Sequence, residues 1–146
     1  MRIFQILIKL KYISIFALLA IFTMTPLMPQ AQAKEILMTN QLPLPVAQQI
    51  KAINDNKEST WLNLFTSDAI VNDWGRVFQG HQKIKAWSDK EFIGAHGQLT
   101  VIKAETKGNQ VTLNANWRSH FYTGKSRFIF IVDGKKIREM RITSLK

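Results

Sequence analysis

Residues 110–133 read QVTLNANWRSHFYTGKSRFIFIVD, and the period of this stretch is two. Val111, Leu113, Ala115, Trp117, Ser119 and Phe121 alternate with Thr112, Asn114, Asn116, Arg118 and His120. Beyond Thr123-Gly124, Ser126, Phe128, Phe130 and Val132 alternate with Arg127, Ile129, Ile131 and Asp133. Successive side chains of a strand point to opposite faces, so each run is predicted as a strand whose first set faces a core. The predicted bounds are 110–121 and 125–133. The second run is apolar on both faces through Ile129 and Ile131, which calls for a cover on the outer face, most simply a second copy in a homodimer.

The same period holds on either side, at 98–105 and 136–144. Lys107-Gly108-Asn109, Thr123-Gly124 and Asp133-Gly134 supply turn chemistry between the strands. Connections this short join antiparallel neighbours, so the four strands form a meander. Upstream the spacing lengthens to that of helices. Val46, Ile50 and Ile53 follow Pro45, a favoured first-turn residue, and Asn54-Asp55-Asn56 breaks the run. A second short helix carries Trp61, Leu62, Leu64 and Phe65 on its apolar side. Two short strands, 70–74 and 76–79, turn at Gly75, and His81 to Phe92 returns to helical spacing through Ile84, Trp87 and Phe92. Helices segregated from antiparallel strands mean an α+β domain with the helices on one sheet face.

Residues 1–33 have a different character. Arg2, Lys9 and Lys11 make a basic head, Ile13 to Met28 is almost wholly apolar, and Ala31-Gln32-Ala33 is an A-x-A site. These three regions describe a secretory signal peptide cleaved after Ala33, with a periplasmic or secreted product; the alternative is an uncleaved N-terminal anchor. The apolar run is shorter than a spanning helix needs, so contact with the membrane is expected only through this segment before cleavage. Residues 34–44 lack periodicity and are read as an N-terminal arm, and 45–146 as one domain.

The full chain carries a net charge of +10, and loss of the three basic residues in the leader lowers this to +7. Such a balance is read first as a solvated basic surface that aids solubility, with attraction to anionic surfaces as the alternative. Nucleic acid shares that sign, but export excludes it as a natural partner. There are no cysteines, hence no disulfides and no thiol chemistry. His81, His96 and His120 lack metal-ligand spacing, and no phosphate loop or dinucleotide fingerprint occurs, so neither metal nor cofactor is expected.

The series Asn54-Asp55-Asn56, Trp61-Leu-Asn-Leu-Phe-Thr-Ser-Asp-Ala69, Val71-Asn-Asp-Trp-Gly75, Phe78-Gln-Gly-His-Gln-Lys-Ile-Lys-Ala-Trp87, Ala115-Asn-Trp117, Phe128-Ile-Phe130 and Asp133-Gly-Lys-Lys-Ile137 resembles the nuclear transport factor 2-like superfamily, in its SnoaL-like branch. The resemblance spans about residues 45–143. It implies a cone: a curved antiparallel sheet wrapped around three N-terminal helices, with a pocket at the open end. The superfamily holds enzymes and binding modules alike, so fold alone does not assign chemistry.

One member, ketosteroid isomerase, has a segment around its catalytic base that resembles Phe65-x-x-Asp68-Ala-x-Val71-x-Asp73, which carries the base onto Asp73. Its two enolate-stabilising donors fall on Gln49 of the first helix and on Ser126, two residues before Phe128. Both can donate hydrogen bonds, yet neither has the acidity of the family's Tyr and protonated Asp. SnoaL-like cyclases also depend on a pocket carboxylate, for which Asp73 is the candidate here.

Other pocket candidates come from residue type and place. Trp74 and Trp117 are assigned to the pocket or its rim, Phe128 to the ligand-binding set with Gln49 and Ser126, and Trp61 and Trp87 to the core. Met140 is read as pocket floor or core, and His96 as a loop residue near the mouth. Two functions follow: an exported protein binding a small hydrophobic molecule without catalysis, or an isomerase- or cyclase-like enzyme using Asp73 as general base on a hydrophobic carbonyl compound.

Overall fold

The computed structural model describes residues 29–34 and 41–145. The expected leader and arm therefore fall for the most part outside the described residues, although Leu42 packs against the core. No helix among the described residues is long and apolar enough to cross a membrane.

Helix α1 (Leu44–Asn54) opens with Pro45 in its first turn and buries Val46, Gln49, Ile50 and Ile53, three or four residues apart. Its last residue fastens it to the sheet. The Asn54 amide donates to the Leu99 carbonyl (2.9 Å) and accepts from the Leu99 N–H (2.8 Å), as a neighbouring strand would. Asn56 takes a positive φ of 55° and reverses the chain. Helix α2 (Glu58–Asn63) is short and turns Trp61 fully into the core.

Strand β1 (Phe65–Asp73) begins five residues before the expected start. Phe65 opens the strand opposite Ile137 instead of continuing the helix, and an irregularity between Phe65 and Ile70 interrupts the alternation that would have revealed it. β2 (Arg76–Gln79) folds back antiparallel on β1, and α3 (His81–Glu91) buries Ile84, Trp87 and Ser88. β3 (Gln98–Lys107), β4 (Gln110–Arg118), β5 (Thr123–Asp133) and β6 (Lys136–Ser144) form the expected antiparallel meander.

The six strands make one sheet in the order β2-β1-β6-β5-β4-β3, wrapped around the helices as an α+β cone. One joint departs from the expected all-antiparallel sheet: β1 runs parallel to β6. Hairpin signals report only neighbours in sequence, and these two strands come from opposite ends of the domain.

The β4–β5 turn also sits earlier than expected. β4 stops at Arg118, the Ser119 N–H meets the Tyr122 carbonyl at 2.8 Å, and Gly124 already pairs with Trp117. The Ser119 hydroxyl accepts from the N–H groups of Phe121 and Tyr122, so a local side-chain bond replaces strand pairing. Phe121, expected on the core face, is consequently 73% exposed. Most of that face holds: Val111, Leu113, Ala115, Trp117, Ser126, Phe128 and Phe130 are all buried, while Ser119, in the turn, and Val132, beside a register shift, are half-buried. On the outer face Ile131 is buried within the chain itself and Ile129 half-buried.

Candidate functional site

A cavity of about 620 Å³ opens at the end of the cone where β1 and β4 finish. Its apolar wall is a continuous run of aromatic rings. Trp87 of α3 stacks on Phe92 (5.0 Å between centroids), Phe92 on Trp117 of β4 (4.7 Å), and Trp117 leans on Phe128 of β5 (5.8 Å). Offset and tilted ring pairs of this kind add to the stabilisation from burial alone. The Trp117 indole reaches this position because residue 97 is glycine: a Cβ there would lie 2.1 Å from its Cη2.

Strand register sets the next layer. Asp73 of β1 pairs with Ile142 of β6, and Ile142 with Phe128 of β5, so the three lie in one row on the concave face. All three line the cavity. Ser126, two residues before Phe128, shares that face; it is 2% exposed and lines the cavity.

The mouth is polar on one side. Arg76, across the β1–β2 turn from Asp73, pairs with the Asp73 carboxylate. The same guanidinium grips Glu91 at the end of α3 with two bonds, Nη1 to Oε1 at 3.1 Å and Nη2 to Oε2 at 2.7 Å. A fork of this geometry holds a carboxylate in a fixed plane. The Glu91 bonds first, and that to Asp73 second, raise the Arg76 guanidinium above its usual range. Arg76 in turn holds Glu91 below the ordinary carboxylate range.

The other side of the mouth is aromatic. Trp74 and Gly75, the two central residues of the β1–β2 turn, both have positive φ (53° and 93°). This is rare for a bulky side chain and marks a strained position. The Gly75 N–H donates to Asn72 Oδ1 (2.8 Å) and the Trp74 N–H to the Ile142 carbonyl (3.1 Å), which secures the turn. Trp74 is thereby projected outward, 55% exposed, and meets Tyr122 edge-on with centroids 6.3 Å apart.

Of the residues singled out from sequence, Asp73, Trp74, Trp117, Ser126 and Phe128 converge on this cavity. Three others lie elsewhere. Gln49 is completely buried in the core, where its amide donates to the Trp61 carbonyl at 3.2 Å. Met140 is likewise fully buried core. His96 stands on the surface with φ 53°, bonded to Asn56 at 3.2 Å and facing His120 with ring centroids 4.9 Å apart. Trp87, assigned to the core, is buried and lines the cavity as well. Arg76, Glu91, Phe92 and Tyr122 were not foreseen. Arg76 had a local signal, opposite charge three residues from Asp73 across a tight turn, whereas Glu91 reaches the site only through the docking of α3.

No family model matches the sequence, and neither does any curated protein. Solved structures do match. A candidate polyketide cyclase from Sinorhizobium meliloti superposes with a TM-score of 0.65 at 21% identity, over 72% of this chain and 98% of the other. A computationally designed 17-OHP binder gives 0.62 at 14% identity, over 70% and 91%. A Catenulispora acidiphila protein with a ketosteroid isomerase-like fold, in complex with trimethylamine, gives 0.59 at 19%, over 70% and 85%. The chain therefore has the nuclear transport factor 2-like fold of the SnoaL-like and ketosteroid isomerase-like proteins.

Proposed function

We propose that this chain is an exported binding protein that holds a small hydrophobic molecule in the aromatic cavity and does no chemistry on it. The observation that carries this reading is the cavity wall: stacked rings of Trp87, Phe92 and Trp117 with Phe128 tilted against them, the charged groups paired with one another on one side, and few polar groups, the Ser126 hydroxyl among them, on the rest. Apolar pockets with a few placed polar groups are the usual form of small-molecule sites. The similarity in fold to a designed 17-OHP binder and to a protein holding trimethylamine accords with a cavity able to accept organic guests. Export rests on the basic head, apolar run and A-x-A site of residues 1–33.

The enzymatic alternative has one supporting observation, the Asp73 carboxylate at the cavity wall. Against it stand two others. One Asp73 oxygen is committed to Arg76, and Gln49, which the isomerase resemblance casts as an enolate donor, points its amide at Trp61 inside the core. Only Ser126 of the two donor positions borders the cavity, so the electrophilic half of such a reaction lacks a partner.

Native mass spectrometry of the protein purified from its own host tests the reading. A bound organic species of a few hundred daltons on a chain beginning at Lys34 is expected. A chain that retains residues 1–33 would overturn export, and an empty cavity that accepts no apolar probe would overturn binding. A homodimer through the outer face, where Ile102 is 40% exposed and Ile129 half-buried, belongs to the same proposal. A monomeric mass by light scattering at micromolar concentration would remove it.

A further inference from the structure

We infer that the open end of the cone is a docking surface for an anionic lipid bilayer. Three aromatic side chains from two separate turns converge there with unusual exposure: Trp74 (55%), Phe121 (73%) and Tyr122 (44%). Burial does not account for them, and the turn holding Trp74 keeps a bulky residue in the left-handed region to project it outward. Trp and Tyr are the residues that settle at the level of lipid headgroups, where an aromatic body with a polar tip is half-solvated, while Phe inserts further.

Charge around the patch selects the kind of surface. Asp73, Arg76 and Glu91 are tied to one another. Arg118 and Lys125, on the strand ends that carry Phe121 and Tyr122, are exposed and form no ion pair among the described residues. His120 lies exposed in the same turn. The whole chain is strongly basic. Basic residues beside an aromatic wedge match a bilayer rich in anionic headgroups. The cavity mouth would then face the lipid, the source from which an apolar guest could enter without crossing water. The docking claim concerns the rim and holds or fails independently of what fills the cavity.

Trp74 supplies the measurement. Trp61, Trp87 and Trp117 are buried, but Trp87 and Trp117 line the cavity, so the part of the emission change on adding vesicles that is lost in Trp74→Phe reports the mouth. With vesicles of phosphatidylglycerol and phosphatidylethanolamine, the mature protein should shift its emission to the blue and be quenched by brominated acyl chains. Pure phosphatidylcholine vesicles should give neither effect. In flotation assays Phe121→Ser, and separately the pair Arg118→Gln and Lys125→Gln, should each weaken binding about tenfold. Circular dichroism and the thermal midpoint should stay unchanged, since these side chains are exposed. Failure to bind anionic vesicles would overturn the inference. So would equal binding to phosphatidylcholine, or a blue shift that appears without lipid as protein concentration rises, which would assign the patch to a second copy of the chain.

Discussion

Phe92 and Trp117 lie parallel, 4.7 Å between ring centroids and 8° between planes, with the Trp117 six-membered ring over the backbone of Gly97. One ring follows the end of α3 and the other stands on β4, so the stack clamps helix to sheet and forms the cavity wall in the same act. In Gly97→Ala the new methyl must displace the indole. We expect a loss of about 1–3 kcal/mol, the usual range for overpacking, together with weaker uptake of apolar probes. Thermal melts and probe titration on one preparation check both halves; an unchanged midpoint would show that the stack is not clamped at Gly97.

Among the residues of β5 and β6 that line the cavity, Ser126, Phe128 and Ile142, Ser126 is the polar one. A guest carrying an oxygen or nitrogen near that end gains a hydrogen bond there. Ser126→Ala is expected to weaken such a guest about 3- to 10-fold, the usual net worth of one neutral hydrogen bond, and to leave a purely hydrocarbon guest unaffected. Comparing an alcohol with its parent hydrocarbon by calorimetry reads the difference directly.

Asp73→Asn separates binding from catalysis. The shape of the wall persists while the carboxylate is lost, and Arg76 keeps its two bonds to Glu91. For a binding protein, affinity for an uncharged apolar guest should stay within about threefold, with no turnover in either form. Turnover in the parent chain that vanishes in the variant would establish the general-base reading instead.

Gln49 is a packing residue whose Oε1 is buried with no partner among the described residues. Gln49→Met keeps the volume and removes that orphaned oxygen while giving up the bond to Trp61. The two effects oppose each other, and stability should change by less than about 1.5 kcal/mol, with guest binding intact. A selective loss of binding at unchanged stability would restore Gln49 to the site.

Glu58, on α2, packs beside Asp89 and Lys85 of α3. Burial first, and a hydrogen bond with Asp89 second, hold its carboxyl above the ordinary range. A raised folded-state value means that the group favours the fold when protonated, at acid pH, and that this contribution is lost as pH rises through the folded value. At neutral pH its charge is therefore a burden. Glu58→Gln should raise the thermal midpoint at pH 7 by about 1–3 °C and bring no gain near pH 4. Glu91 has the opposite sign: Arg76 depresses it, so its contribution is present at neutral pH and fades as acid protonates it. Glu91→Gln should lower the midpoint at pH 7 and converge with the parent chain in acid.

The elements and their faces were written in the sequence. Alternation through Val111–Trp117 and Ser126–Phe130 names the buried face before any contact is known, because a strand's side-chain period is fixed by its backbone. The turns at Gly75, Gly108 and Gly134 were legible for the same local reason: each has the positive φ that glycine takes without strain. Asp73, Trp74, Trp117, Ser126 and Phe128 were named from resemblance and residue type, and the register of β1, β4, β5 and β6 brought them to one cavity. Where local chemistry competed with the pattern, the pattern misled: the Ser119 hydroxyl took two backbone N–H groups, ended β4 at Arg118, and turned Phe121 to the surface. What tertiary structure alone decided was every relation between distant parts of the chain. The parallel joint of β1 and β6, the grip of Arg76 on Glu91, and the meeting of Trp74 with Tyr122 depend on how α3 and two remote turns dock on a curved sheet. No local preference encodes such meetings; they follow from packing the whole core at once.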